Sequence, residues 1–362
     1  MQQYSEQASS AIAASAALRG WLLSAHVQLR EGAHAGGVVG ALDADGRARY
    51  VYPEITGYYL HWLADVREAG GLDEVRVAAA RAADWTRRQF DGGRVPLTRA
   101  YLIDAVPDWR NDAVFFFDLA MLLRGLCAAI DARLIAPPLA TLQRLIAELD
   151  AFVSPDGEIH AARTLRQVEL PIRWSTIGGP FEVKASSRVV LAARHVALPE
   201  RLARACEALA DRYLPSAGSI ALDMLHPTLY FAEGMLSARP HGAADIALLL
   251  RRCLDLQYDD GSLPEAQHGS TLRRSDIVAQ ALRVGLLLRA GNVPGAPGDD
   301  ALHALAEALI ARIDERGRIP FIADPGGAAQ PNVWCGMFAE QALRWYAHWL
   351  DGKALPGAEW LV

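Results

Sequence analysis

The sequence predicts an all-α protein built as one ring of six helical hairpins. Apolar residues recur at helical spacing along most of the chain, whereas alternating β-branched stretches are almost absent. The predicted helices come in pairs, in which an amphipathic helix rich in Ala, Arg and Glu precedes a more apolar one. The last predicted helix is among the most apolar, whereas an open solenoid would end in a polar cap. Six apolar helices would then form an inner layer and six amphipathic helices an outer one.

The hairpins follow one another along a single domain that we predict to span residues 1–362. Their paired helices are predicted at 8–28 and 54–68, 73–90 and 111–130, 138–152 and 181–195, 199–213 and 227–238, 242–257 and 275–290, and 299–314 and 332–350. In the second pair, Asn111 or Asp112 would cap the apolar helix, because the first N–H groups of a helix lack partners within it. The third loop, from Val153 to Pro180, is the longest, and a loop of this length is usually functional.

Composition excludes several classes of function. The formal net charge is −6 and the basic residues are spread out, so nucleic acid is not an expected partner. There is no basic leader and no uncharged apolar run of membrane-spanning length, so we expect a cytoplasmic protein. The four cysteines lie far apart and are expected to be buried free thiols. Without a clustered set of ligands, the sequence predicts neither a metal site nor a cofactor.

Five segments carry a resemblance that extends over nearly the whole chain. They are YPEITGYYLHWL (52–63), GPFEVKAS (179–186), LHPTLYFAEGML (225–236), RSDIVAQALRVGLLL (274–288) and NVWCGMFAEQALRWY (332–346). The layout resembles the six-hairpin (α/α)6 toroid of many glycosidases, polysaccharide lyases and sugar epimerases, and the segments resemble uncharacterised bacterial proteins of exopolysaccharide gene clusters. The resemblance implies an enzyme of polysaccharide biosynthesis or remodelling that binds a saccharide or nucleotide sugar, with other proteins of that process as partners. It does not specify the reaction, because toroids host unrelated chemistries.

In such a ring, the loops that lead into the inner helices gather on one face, around the N-terminal ends of those helices. These ends carry partial positive charge and free N–H groups, which favour carboxylates and anionic ligands. Each candidate there also has a structural explanation, since a first-turn carboxylate can cap a helix and a histidine can serve in packing. The candidate catalytic residues are Glu54, Asp112, Glu182, His226 and Asp276.

The same loops and first turns hold the candidate substrate-binding residues. Tryptophan can stack on the apolar face of a sugar or fill the underside of a loop, and cationic side chains can bind hydroxyl or acid groups. Stacking would be excluded if Trp109, Trp174 and Trp334 were all fully buried. The candidates are Tyr58, Trp109, Arg110, Trp174, Lys184, Arg274 and Trp334.

The residues leave the reaction open between three types. A glycosidase needs two carboxyl groups, one protonated and one ionised, drawn here from Glu54, Asp112, Glu182 and Asp276. A lyase or epimerase needs a base and an acid beside a sugar carbon, which His226, Tyr58, Lys184 or a glutamate could supply.

The alternative to an enzyme is a non-catalytic glycan-binding or scaffold protein of a polysaccharide assembly system. Carboxylates that are all engaged in caps or ion pairs would favour this alternative, whereas a desolvated pair would favour catalysis.

A minor alternative comes from the turn at 257–262, QYDDGS, which resembles the QxxDGSW-type turn of terpene cyclases. The Asp-x-Asp-Asp motif that protonates an alkene in those enzymes is absent from the sequence. A terpenoid cyclase is therefore the least supported of these functions.

Overall fold

A computed structural model of the chain describes residues 2–43, 45–69, 71–102, 108–166, 168–323 and 330–362, and most of these residues are helical. The helices are α1 Gln2–Leu22, α2 Pro53–Asp65, α3 Leu72–Gln89, α4 Phe116–Asp131, α5 Leu139–Asp150, α6 Trp174–Ile177, α7 Glu182–Leu191, α8 Glu200–Tyr213, α9 Leu225–Ala238, α10 Ala243–Leu254, α11 Ser275–Ala290, α12 Asp299–Ile310 and α13 Val333–Leu350. Short strands pair antiparallel, β1 Tyr50–Val51 with β2 Ala100–Tyr101 and β3 Ala113–Phe115 with β4 Ala162–Thr164. The prediction of an all-α protein is confirmed.

The long helices occur in the predicted order of six pairs, with two boundary corrections. Helix α1 runs from Gln2 to Leu22, so the predicted range of 8–28 was too late at both ends. Helix α4 begins at Phe116 and not at residue 111. The long third loop contains the short helix α6 and strand β4, which the sequence did not predict.

Strand pairing explains the late start of α4. Residues Trp109–Asp112 form one 3-10 turn, and the three residues of β3 then pair with β4 before the helix begins. Asn111 therefore does not cap α4; its side-chain amide is bonded to the backbone of Arg99, with two distances of 2.9 Å. Asp112 is likewise outside the helix, so the predicted capping by either residue was wrong.

The second helix of each pair is buried on nearly every side, as the apolar runs predicted. In α2, every residue from Pro53 to Ala64 is buried. In contrast, α8 buries only Leu202, Ala205, Cys206, Leu209 and Ala210. That spacing of three and four residues is the single stripe of an amphipathic surface helix.

The chain divides into two compact units, which we describe separately. The N-terminal unit spans residues 23–211, and within it α2 packs on α4 and α4 packs on α7. The C-terminal unit combines residues 1–22 with 212–362, and within it α11 packs on α9 and α13, while α1 packs on α13. The single domain predicted for the chain stays a prediction.

Two other expectations concern the cysteines and the membrane. Cys127, Cys206, Cys253 and Cys335 are all buried free thiols, as predicted. Among the described residues, each helix is too short or too polar to cross a bilayer.

Two glycines allow α2 and α4 to touch through their backbones. A Cβ atom placed on Gly125 would lie 2.1 Å from the carbonyl oxygen of Gly57. A Cβ atom placed on Gly57 would lie 2.5 Å from the carbonyl oxygen of Met121. Because backbone atoms have no rotamer through which to yield, any side chain here would force the two helices apart.

We expect Gly125→Ala to lower the free energy of unfolding by about 1–3 kcal/mol, the usual cost of overpacking a core. Gly20→Ala is the matched control, because Gly20 is also helical but a Cβ atom placed on it would have no neighbouring atom within 4 Å. That change should instead stabilise the protein by about 0.5–1 kcal/mol. Urea unfolding followed by circular dichroism measures both, and equal effects would contradict the close helix contact.

Candidate active site

Each unit contains a buried polar cluster at the N-terminal ends of its apolar helices. The carboxyl cluster of the N-terminal unit consists of Tyr52, Glu54, Asp118, Glu182 and Lys184. The histidine cluster of the C-terminal unit consists of His226, Glu265, Arg274, Asp276, Gln280 and Trp334.

Local sequence places Glu54 in the first turn of α2. Tyr52 precedes a proline and is extended, with φ −132° and ψ 121°, and Pro53 then occupies the first helical position. The phenol of Tyr52 lies beside the carboxyl groups of Glu54 and Asp118, and hydrogen bonding with it influences the pKa values of both carboxyls. Since a phenol has only one proton to donate, two carboxyls around it are best satisfied when one of them is protonated.

Burial favours the protonated forms in the carboxyl cluster. Burial raises the pKa of Glu54 to about 7, against the opposing effects of the Tyr52 hydrogen bond and the charges of Lys184 and Arg99. The pKa of Asp118 is raised well above its usual range by burial and then by the charge of Glu54. The pKa of Glu182 is raised in the same direction by burial. This cluster can therefore hold protons at neutral pH.

The two residues of α7 in this cluster have different surroundings. Glu182 is only 2% exposed, and neither of its carboxyl oxygens has a hydrogen-bond partner within the described part of the chain. Lys184 is fully buried, and its Nζ lies 5.0 Å from the centre of the Tyr58 ring.

The histidine cluster fixes the imidazole of His226. Its Nδ1 lies 2.7 Å from Oε1 of Gln280 and 3.4 Å from Oδ2 of Asp276. Because an amide oxygen and a carboxylate only accept hydrogen bonds, we assign the ring proton to Nδ1. The lone pair then resides on Nε2, the nitrogen that can act as a base.

Asp276 is ionised in this cluster. Two nitrogens of Arg274 hold its two oxygens at 2.7 and 3.1 Å, and Nε1 of Trp334 donates to Oδ2 at 3.2 Å. Burial by itself would raise the pKa of Asp276, but the charge and hydrogen bonds of Arg274 lower it to about 2. Burial, together with the charge of Arg274, lowers the pKa of His226 to about 4. At neutral pH the cluster therefore holds a neutral imidazole beside an ionised carboxylate.

The structure brings most of the predicted catalytic residues to helix starts, with one exception. Glu54, Glu182 and Asp276 lie in the first turns of α2, α7 and α11, and His226 lies in the first turn of α9. Asp112 instead lies on a half-buried loop, 3.6 Å from Arg166. The first-turn carboxylate of α4 is Asp118.

Sequence reasoning missed Asp118 and Gln280, although both carry a signal. Asp118 is the only charged residue in the run AVFFFDLAMLL (113–123), and Gln280 is the only polar residue in IVAQAL (277–282). An isolated polar residue in an otherwise apolar buried helix requires a polar partner and so indicates a site.

Some of the predicted substrate-binding residues are partly exposed to solvent, whereas others are buried. Trp109, Trp174 and Trp334 are all partly exposed, so the condition that would have excluded stacking is not met. Tyr58 is buried and lies against Lys184, so neither is at the surface. Of the two arginines, Arg274 is held by Asp276 and Arg110 by Asp108. Whether any of these residues binds a sugar stays a prediction.

The ring of Trp109 is flanked by cations. The guanidinium carbons of Arg110 and Arg173 lie 4.7 and 5.8 Å from its centre. Trp174 contacts Phe181 edge-on, with 4.8 Å between ring centres.

A cavity of about 320 Å³ lies elsewhere in the N-terminal unit, near the start of α3. Its lining includes Arg30, Arg81, Asp73 and Glu74, which are exposed and of balanced charge, and it shares no residue with either cluster. The buried polar groups are therefore the stronger candidate for chemistry.

The sequence matches no protein-family model and no curated protein. Solved structures are similar in fold. A D-mannose isomerase aligns with a TM-score of 0.70 at 11% identity, covering 93% of this chain and 96% of that one. A cellobiose 2-epimerase from Spirochaeta thermophila aligns with a TM-score of 0.66 at 14% identity, covering 89% and 92%. An unsaturated glucuronyl hydrolase specific for heparin aligns with a TM-score of 0.67 at 12% identity, covering 97% and 99%.

These similarities extend over nearly the full length of both chains in each comparison. The fold is therefore the all-α (α/α)6 toroid, and the predicted architecture is confirmed. At such low identity the similarity concerns the fold alone.

The raised pKa of Glu54 has a measurable effect on stability. The folded state keeps this proton up to about pH 7, whereas unfolded glutamate loses it near 4.5. The folded state therefore binds more protons in this interval, and the free energy of unfolding must fall as pH rises through it.

Glu54→Gln removes this titration, so the variant should gain on the order of 3 kcal/mol relative to the wild type between about pH 4.5 and pH 8. Urea unfolding at several pH values measures the difference. Glu200→Gln is the control for removing a carboxylate outside the buried cluster, because the Glu200 side chain is 81% exposed. A pH-independent difference for Glu54→Gln would contradict the assignment.

The tautomer of His226 is testable without a substrate. In ¹⁵N-histidine spectra near pH 6 we expect a neutral ring protonated on Nδ1, with His226→Asn identifying the signal. Gln280→Leu removes the nearer acceptor and should mix the two tautomers, whereas Gln280→Glu keeps an acceptor and should raise the pKa of His226. Protonation of the wild-type ring on Nε2 would refute the assignment.

Proposed function

We propose that this chain is a carbohydrate-active enzyme that moves a proton at the carbon next to a sugar carbonyl, as an isomerase or epimerase does. The observation that carries the proposal is the 2.7 Å contact between Nδ1 of His226 and Oε1 of Gln280, which favours a ring with its proton on Nδ1 and its lone pair on Nε2. Its low pKa keeps the ring unprotonated at neutral pH, which a general base requires. An isomerase and an epimerase have a similar fold at low sequence identity, and this similarity is consistent with the proposed function.

In the proposed reaction, Nε2 of His226 takes the proton from the carbon beside the carbonyl of an open-chain sugar. The C–H electron pair forms a carbon–carbon double bond, and the carbonyl oxygen becomes that of an enediolate. For the epimer, water donates a proton to the opposite face of the same carbon, the carbonyl re-forms, and the imidazolium of His226 gives its proton to the resulting hydroxide. For the isomer, the imidazolium returns its proton to the neighbouring carbon, and the hydroxyl proton of the first carbon moves to the former carbonyl oxygen as the new carbonyl forms. Arg274 and the partly exposed Trp334 are the proposed contacts of the saccharide in this cluster.

Glycoside hydrolysis is the second candidate, and it rests on the carboxyl cluster. Glu54 and Asp118 both interact with the Tyr52 phenol, and the charge of Glu54 acts on Asp118, so the two carboxyl groups are neighbours. A retaining glycosidase uses two neighbouring carboxyl groups. The raised pKa of Glu54 and Glu182 also argues against the non-catalytic alternative, because these carboxyls are desolvated instead of engaged in caps and ion pairs.

The wider setting stays part of the proposal. The resemblance to exopolysaccharide-cluster proteins favours a role in polysaccharide biosynthesis or remodelling, on a saccharide or nucleotide sugar. We further propose that the protein acts in the cytoplasm.

Deuterium exchange tests the proton transfer directly. The protein is incubated in D2O with D-mannose, D-glucose, D-fructose and cellobiose, and deuterium at the carbon next to the carbonyl is followed by NMR and mass spectrometry. We expect incorporation into at least one sugar, and a fall of about 10²–10⁴-fold in His226→Gln, the usual effect of losing a general base. Because the pKa of His226 is about 4, the rate should stay constant from neutral pH to about pH 5 and fall below that.

His241→Gln is the control, because His241 is exposed and lies outside both clusters. It should leave the exchange rate unchanged. Exchange that persists in His226→Gln, or no exchange with any sugar of the panel, would overturn the proposal. Release of a reducing sugar from glycosides without exchange would instead support the second candidate.

A further inference from the structure

One carboxyl of the carboxyl cluster has no cation acting on it. Lys184 and Arg99 are the cations that act on Glu54, and Arg99 also acts on Asp118. Within the described residues, three carboxyls thus stand against two cations. If all were ionised, one negative charge would be left uncompensated in a buried environment, where an unpaired charge costs several kcal/mol.

The uncompensated group is Glu182. Within the part of the chain described, both of its oxygens lack hydrogen-bond partners, and burial is the one influence on its pKa. Lys184 is only two residues away, but residues two apart on a helix do not face each other. Its charge acts on Glu54 of α2, and its Nζ lies against the ring of Tyr58. Glu182 instead acts on Asp118 of α4.

We propose that the carboxyl cluster is a binding site for a primary ammonium group, such as that of an amino sugar, with Glu182 as its counterion. An ammonium carries three N–H donors and one positive charge. It would satisfy both oxygens of Glu182 and place a positive charge beside that carboxylate, and charge-assisted hydrogen bonds of this kind are the strong ones. Tyr52 is the one residue of the cluster that is partly exposed, so a ligand would enter beside it.

A divalent metal ion fits this cluster less well. Among the described residues, no group of three or more His, Cys, Asp and Glu side chains has the arrangement to hold one. An organic cation needs no such coordination geometry, because hydrogen bonds and charge suffice to bind it.

The proposal predicts a proton release. Without a ligand, burial raises the pKa of Glu182 and so favours the protonated carboxyl. Its O–H bond must break when it pairs with an ammonium, and the proton leaves to the buffer while the carboxylate remains. The proposal rests on this cluster alone and does not depend on proton transfer at His226.

Isothermal titration of the full chain near pH 6.5 tests the site with matched probes. D-glucosamine carries the ammonium, D-glucose has a hydroxyl in its place, N-acetyl-D-glucosamine has a neutral amide, and methylammonium has the charge without the sugar. We expect D-glucosamine to bind about tenfold or more tightly than either neutral sugar, as a charged hydrogen bond implies. Titration in two buffers of different ionisation enthalpy should show about one proton released per D-glucosamine bound.

Methylammonium distinguishes a site that recognises any primary ammonium group from a site that also requires the sugar. Tight binding of this ion identifies a site for any primary ammonium, and tight binding of D-glucosamine alone identifies a site for an amino sugar. If neither cation binds more tightly than D-glucose, the proposal is overturned.

Glu182→Gln keeps the shape of the side chain but removes its charge. It should abolish both the preference for D-glucosamine and the proton release, whereas the exposed Glu200→Gln should change neither. A preference that survives in Glu182→Gln would overturn the assignment of the counterion. If that variant does not fold, the comparison of D-glucosamine with N-acetyl-D-glucosamine in the wild type still decides whether the ammonium is recognised. The deuterium-exchange experiment with His226→Gln tests only the proposed function, so its result does not affect the conclusion about the ammonium site.

Discussion

The central constraint in this protein is the cost of placing ionisable groups in helices that are buried on every side. The apolar second helices give the fold its core, and their first turns carry Glu54, Asp118, Glu182 and Asp276. A buried carboxylate must be paired, hydrogen-bonded or protonated, because an isolated charge in such surroundings is too costly. The protonation state of each group therefore follows from which partners its neighbours supply.

The two units meet this constraint in opposite ways. In the C-terminal unit, Arg274 pairs with Asp276 through two hydrogen bonds and keeps it ionised. The same arginine helps to keep His226 neutral. In the N-terminal unit the carboxyls outnumber the cations that act on them, so protonation replaces pairing. One cluster thus offers a base beside a fixed charge, and the other offers carboxyls whose protonated forms are favoured, with the pKa of Glu54 raised to about 7.

The fold could be predicted from the sequence because its signal is local. Each helix carries its own polarity pattern in the sequence. The pattern alone separates α2, which is buried throughout, from α8, which is buried along one stripe. The same local signals placed Glu54 and Glu182 correctly in first turns. Asp112 was misplaced because the start of α4 depends on a non-local contact, the pairing of Ala113–Phe115 with Ala162–Thr164. A strand of three residues has too little pattern of its own to predict a partner about fifty residues away.

The electrostatics of the site could not be predicted, because two similar sequences give opposite results. Arg274 precedes Asp276 by two residues, and Lys184 follows Glu182 by two residues. Arg274 is extended, with φ −83° and ψ 139°, and from this position just before α11 its side chain reaches the carboxylate. Glu182 and Lys184 both lie within α7, where a spacing of two residues turns side chains about 200° apart. The same spacing therefore makes an ion pair at α11 and separates the charges at α7. Whether the cation lies just before the helix or within it thus decides whether the buried carboxyl has a charged partner.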